Sequence, residues 1–212
     1  WRRVVLNREA AIIGLLALVI VVATIVVPNF DSPLTITYLI RELAPILLIA
    51  LPMTLIIITE EIDLSVASIV GLSSVVTGLG VQAGWGLPLA GLAAIIVGII
   101  AGAINGALVT FVGLPSLAVT IGTLALFRGI AVGLLGTTAI SDFPDFWTDL
   151  ARANVPGTPV PMIIIPFIVL AVVFAVLLHF TPFGRSLYAI GLNKEAASFS
   201  GIDVGLTKFW LF

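Results

Sequence analysis

Apolar residues run along this chain in blocks of about twenty, and short polar segments separate the blocks. Six complete stretches stand out, at about 10–27, 38–59, 64–82, 87–111, 117–136 and 161–180, and a further one begins near Thr207. Turn and capping residues fill the gaps: Pro28-Asn29 with Asp31-Ser32-Pro33, then Glu60-Glu61-Ile62-Asp63, Gly84-Trp85-Gly86, and Gly113-Leu114-Pro115-Ser116. A helix needs about 20 apolar residues to cross roughly 30 Å of hydrocarbon. Between Asp63 and Arg128 lie 64 residues without a single Asp, Glu, Lys, Arg or His, which is room for three crossings. No soluble core needs such a run. The expected fold is an all-α, polytopic transmembrane helical bundle of about six complete spans plus the start of a seventh. The chain, 1–212, reads as one transmembrane domain. It opens on Trp1 and stops at Phe212 inside an apolar run, so it is expected to be incomplete at both ends.

Composition agrees and narrows the chemistry. Hydrophobic residues make up 60% of the chain and charged ones 9%, where soluble domains carry about 25% charged residues; the mean hydropathy is +1.28. A net charge of −2 leaves no basic face for nucleic acid. Without cysteine there is no disulfide frame, thiolate metal site or cysteine nucleophile, and one histidine, His179, builds no metal cluster. The first apolar stretch is too long, and too closely followed by others, for a cleaved signal peptide.

Basic residues near span ends set the expected orientation. With the amino terminus in the cytoplasm, the inner face holds Arg2, Arg3, Arg8, Arg185, Lys194 and Lys208, and the outer face Arg152 alone. The polar, Pro-rich loop 137–160 is then outside, and the segment 181–207 is inside.

Several polar groups sit where a bilayer tolerates them poorly. Arg128 lies about 11 residues into the fifth stretch, and an unpaired charge there costs at least about 2.5–3.5 kcal/mol. It is expected to line a pathway or gate, to be held in an ion pair, or to lie toward the outer surface. Asn105, Thr120 and Thr123 suit hydrogen bonds between helices or a polar path, and Arg41-Glu42 suits the outer interface. Proline disfavours helix in the residue before it, and Ser116 can cap the helix that follows. The Leu114-Pro115-Ser116 break is either an interrupted span beside a substrate path or a plain loop. Small residues at four-residue steps, Ala90, Ala94, Gly98, Gly102 and Gly106, with Gly129 and Gly133, predict close helix packing.

The inner segment 181–207 carries a short helix by its own signals. Asn193 is a good N-cap, Glu195 belongs in a first turn, and Gly201 can terminate. Two turns are too weak to stand alone, and an apolar edge of Ala196, Ala197 and Phe199 suits a partner's cleft.

Glu195-Ala196-Ala197, three residues, then Gly201 resembles the cytoplasmic coupling motif of bacterial ABC importer permeases. The wider run from Phe183-Gly184-Arg185 through Tyr188-Ala189-Ile190-Gly191 and Asn193 to Ser200-Gly201-Ile202 is similar to the ribose-type sugar permease family. Ile62-Asp63-Leu64-Ser65-Val66-Ala67-Ser68 resembles that family's Gly-Gly-Ile-Asp-Leu-Ser-Val-Gly-Ser signature. Asn105-Gly106, Leu114-Pro115-Ser116, Thr120, Gly122-Thr123 and Arg128-Gly129 follow in the family's order. Glu60-Glu61 and Ala67 stand where the family has glycines, which bears on the geometry of the turn and on gating.

The resemblance implies a dimeric transmembrane pore, homo- or heteromeric, in the bacterial inner membrane. An external binding protein would deliver a monosaccharide, and a cytosolic ATPase would grip the 193–201 helix. It implies coupling roles for Gly184, Arg185, Asn193, Glu195, Ala196, Ala197 and Gly201. It implies a translocation path along Asp63, Ser65, Asn105, Ser116, Thr120, Thr123 and Arg128. No phosphate-binding G-x-x-x-x-G-K-[ST] loop occurs in the chain. No cofactor is expected on this subunit, with ATP and magnesium in the partner. Two other readings stay open. A proton-coupled transporter would use Glu60, Glu61 or Asp63 as relay, and an intramembrane hydrolase would have to use His179.

Overall fold

The computed structural model describes residues 8–212. Arg2 and Arg3, two of the residues behind the expected orientation, lie outside them. Ten helices follow one another among the described residues: α1 (Arg8–Val26), α2 (Pro33–Ile58), α3 (Val66–Gln82), α4 (Leu87–Thr110), α5 (Ser116–Leu135), α6 (Asp145–Arg152), α7 (Ile164–Phe180), α8 (Pro182–Leu192), α9 (Lys194–Phe199) and α10 (Val204–Phe209). Prolines in the first turn open α2, α4 and α8, where the missing N–H has no partner to lose.

Each expected apolar stretch is helical, yet the count of six spans is too high. Among the described residues, α2, α4 and α5 are long and apolar enough to cross a membrane alone; α7 and α8, bent by 69° at their junction, make a fourth if taken as one broken span. α3, with 17 residues, falls short. The 17 residues of α3 rise about 25 Å; the helix begins only at Val66, and the Ser65 N–H and hydroxyl are bonded to Asp63 Oδ1. The expected seventh stretch forms α10, which has six residues and packs against α4.

Two packed groups share the interior. α3 contacts α4 and α5 around Leu72, Ala101, Phe127 and Ala131. α2 contacts α7 and α8 around Leu55, Leu178 and Leu187. α10 touches α4, α8 and α9 and so joins the groups. Outward, side chains such as Ile13, Ile99 and Val172 are exposed, a surface that lipid covers and water does not.

Small residues are used unevenly. A Cβ on Gly80 of α3 would lie 3.0 Å from the Cβ of Ala90, and one on Gly106 would lie 3.0 Å from the Phe209 ring. Gly102 and Gly106 thus admit the 209–212 segment. Gly129 and Gly133 have nothing within 4 Å, so the close packing expected at them is not found among the described residues. Gly184 and Gly191 matter more. A Cβ on Gly184 would overlap the carbonyls of Leu177 and Leu178, and one on Gly191 the carbonyl of Ile58. These two glycines let α8 turn back beneath α7 and cross the end of α2.

The ends of α2 separate the two loop regions. Near its start, Thr37 donates to the carbonyl of Pro159, and Arg41 donates to the carbonyl of Arg152 and to Asn154 Oδ1. Just past its far end, Glu61 meets Lys194. Loop 137–160 and segment 181–207 therefore lie at opposite ends of α2.

Candidate functional site

The site is a polar turn, residues 59–65, built by the way α2 stops. The N–H of Glu61 donates to Ile56 O (3.2 Å) and that of Glu60 to Ile57 O (3.0 Å), the paired bonds of a Schellman ending. Glu60 takes the left-handed conformation this ending requires, with φ of 61°, at the station where glycine is usual. Glu60, at the position of the family's first glycine, thus adopts a conformation that glycine meets without strain.

Beyond the stop, side chains from two helices and from the turn itself hold the backbone in place. Asp63 Oδ1 accepts from the Ser65 N–H (2.8 Å) and hydroxyl (2.7 Å), holding the approach to α3. Ser65 Oγ accepts from Asn105 Nδ2 of α4 at 2.7 Å. From α5, Ser116 Oγ accepts the Ile62 N–H (3.2 Å), and Thr120 Oγ1 donates to Ile62 O (3.2 Å) and Ser116 O (2.8 Å). Both sides of the Ile62 peptide are clamped. Asp63, Ser65, Asn105, Ser116 and Thr120 are all buried, and Asn105 Oδ1 has no partner among the described residues. Buried polar groups that bond one another in this way hold a unique geometry.

Glu61 extends this turn into a charge cluster. Its Oε1 lies 3.2 Å from Lys194 Nζ and is also paired with Lys208 Nζ. Burial alone would raise the Glu61 pKa. The bonds from Lys208, Ser116 and Lys194 outweigh it and hold the carboxyl below its ordinary range. An open cavity of about 520 Å³ adjoins the cluster, lined by Glu60, Glu61, Leu114, Ser116, Lys194 and Lys208 among others.

Of the seven expected path residues, two stand apart. Thr123 is buried, and its hydroxyl bonds only carbonyls of its own helix, such as Val119 O at 3.1 Å. Arg128 is exposed and lines a separate open cleft of about 320 Å³ with Ala67, Ser68, Gly71, Leu124, Ala131 and Val132. Among the described residues it has no ion pair. Ala67, which replaces a family glycine, is exposed and borders that cleft.

The expected coupling residues also divide. Asn193 Oδ1 accepts from the Ala196 N–H at 2.9 Å and caps α9; Gly201, with φ of 85°, ends it. Arg185, Glu195 and Ala196 are exposed. Ala197, expected on the outward edge, is 3% exposed and faces the bundle. Phe199, at 93%, is the apolar residue that α9 presents. Gly184 is buried at the α7–α8 bend and presents nothing. Sequence reading missed Lys194 and Lys208 as partners of Glu61. The available signal was that each stands on the side assigned to the Glu60-Glu61 pair.

The model of branched-chain amino acid transport system permease components matches residues 35–212. The autoinducer 2 import system permease protein LsrD of Klebsiella pneumoniae subsp. pneumoniae is 33% identical over 98% of this chain and 64% of its own length. LsrD of Salmonella typhimurium is 32% identical over 100% and 64%. LsrC of Yersinia enterocolitica serotype O:8 is 36% identical over 97% and 57%. The chain spans somewhat less than two thirds of the length of these relatives. No solved structure matches it. With its helical apolar bundle, and with the family's match running from the start of α2 through α10, the chain belongs to the permease-component family of branched-chain amino acid transport systems.

Proposed function

We propose that the chain is the transmembrane permease subunit of an ATP-driven importer in the bacterial inner membrane, with its amino terminus in the cytoplasm. It forms the path for a monosaccharide or a sugar-like autoinducer delivered by an external binding protein. The cargo named in the relatives, autoinducer 2, is the first substrate to test. A second permease subunit completes the pore. A separate cytosolic subunit holds ATP and magnesium, and this chain binds no cofactor and performs no catalysis.

The observation that carries the reading is α9. It is a helix of under two turns, capped at both ends, lying outside the spanning helices and baring Phe199. So short a helix gains its stability from what it packs on, and an exposed aromatic there suits a partner's pocket. A proton relay at Glu61 fits poorly. A relay carboxyl works when its pKa lies near the operating pH, and the cluster holds Glu61 on the other side of its ordinary value.

Uptake of autoinducer 2 and of labelled pentoses by proteoliposomes holding the full-length permease, its ATPase and its binding protein tests the reading. Uptake should require internal ATP and survive an uncoupler. Uptake that persists without ATP and collapses with the proton gradient would overturn it.

A further inference from the structure

Resting on that reading, we propose that Glu61 is the positioning residue that transmits movement of α9 to the polar turn between α2 and α3. One carboxylate oxygen is shared by two cations of different freedom. Lys194 is the first residue of α9, and its side chain is 46% exposed; the Lys208 side chain is 8% exposed. Lys208 anchors Glu61 within the bundle, and Lys194 ties it to a helix that faces outward.

Glu61 in turn leads directly into the clamped peptide. Its N–H is bonded to Ile56 at the end of α2. The next residue, Ile62, is gripped on both sides by Ser116 and Thr120 of α5, and Ser65 is held by Asn105 of α4. A pull on α9 therefore reaches three spanning helices through one side chain and four residues of chain. The second family glycine has no side chain with which to make this link. The residues that replace the glycine pair have divided the work, with Glu60 supplying the turn and Glu61 the tie.

The test uses full-length permease with its ATPase and binding protein in proteoliposomes, and reads substrate imported per ATP hydrolysed. Lys194→Met removes the outward tie at a half-exposed side chain, so folding is spared. It should leave ATPase co-purification and ATP hydrolysis within twofold of wild type while import per ATP falls at least fivefold. Glu61→Gln should do the same, and the double variant should be no worse than Glu61→Gln alone, since that change already breaks the link to Lys194. Lys194→Arg should restore most of the import. Import per ATP within twofold of wild type in Lys194→Met would overturn the proposal. So would loss of ATPase co-purification in step with import, which would place Lys194 in the docking surface itself. If wild-type import proves independent of ATP, it is the importer reading that fails, and the variants are not needed to see it.

Discussion

Glu60 and Gly201 hold the same station in two helix endings of one design. Each is the left-handed residue of a Schellman pair, at φ of 61° and 85°. Bonds of 3.2 and 3.0 Å close α2 at Ile56 and Ile57, and bonds of the same lengths close α9 at Ala197 and Ser198. Glycine meets this conformation without strain, whereas a side chain costs roughly 1–2 kcal/mol. Glu60 is exposed, and among the described residues it makes no ion pair that would offset the cost.

Glu60→Gly should therefore stabilise the protein. Glycine's greater freedom in the unfolded chain takes back part of the gain, leaving about 0.5–1 kcal/mol. Glu61→Gly should do the reverse, because Glu61 has no positive φ and loses two cations. Thermal unfolding of the detergent-solubilised protein, followed by tryptophan fluorescence, checks both. A rise in midpoint for both variants would mean that the turn, and not the ion cluster, limits stability.

Glu61 also sets a pH dependence. Its folded-state pKa lies below the ordinary value of an unfolded glutamate. The stability it contributes is thus present in full above that value and is lost as pH falls through the lower folded value. Wild-type protein should hold its midpoint from pH 7 to pH 5 and lose it below pH 4, relative to Glu61→Gln. Parallel curves for the two proteins between pH 5 and pH 3 would show that Glu61 carries no such term.

How much was legible depends on the range of the interaction. The apolar blocks, the cap at Asn193 and the stop at Gly201 are local, and the chain announces them. The turn at Glu60 was open to doubt because its residue type is wrong for its shape. The meeting of Glu61 with Lys194 and Lys208 spans more than a hundred residues of chain, and no local pattern encodes it. Span number was overcounted for a related reason. Leu64 reads as part of an apolar stretch, yet the bonds of Asp63, Ser65 and Ile62 hold the backbone there outside any helix.

Ala197 and Phe199, both expected on the outward edge of α9, part in the structure: Phe199 faces out and Ala197 does not. Ala197 packs inward, so Ala197→Leu should overfill its site and cost about 1–3 kcal/mol of stability. Phe199 is almost wholly exposed, so Phe199→Ser should leave the melting midpoint unchanged and weaken capture of the ATPase at least tenfold. Pull-down of the ATPase by each detergent-solubilised variant, beside its melting curve, separates the two effects. Equal capture by Phe199→Ser and wild type would move the docking surface off this face of α9.

Arg128 and Arg41 give the sharpest contrast between a residue lining an open cleft and one making a structural contact. Arg41 donates to Asn154 Oδ1 at 3.0 Å and to the Arg152 carbonyl, fastening loop 137–160 to α2. Arg41→Leu leaves those acceptors unpaired at a partly exposed site and should cost about 1 kcal/mol of stability with modest loss of transport. Arg128 fastens nothing among the described residues and faces a cleft at membrane depth, where a charge is retained for function more often than for folding. Arg128→Leu should leave the midpoint unchanged, or raise it slightly, and lower the maximal import rate at least tenfold. Measuring both variants in one proteoliposome preparation settles the comparison. Equal and mild effects on import would take Arg128 out of the pathway and leave its cleft a lipid-facing groove.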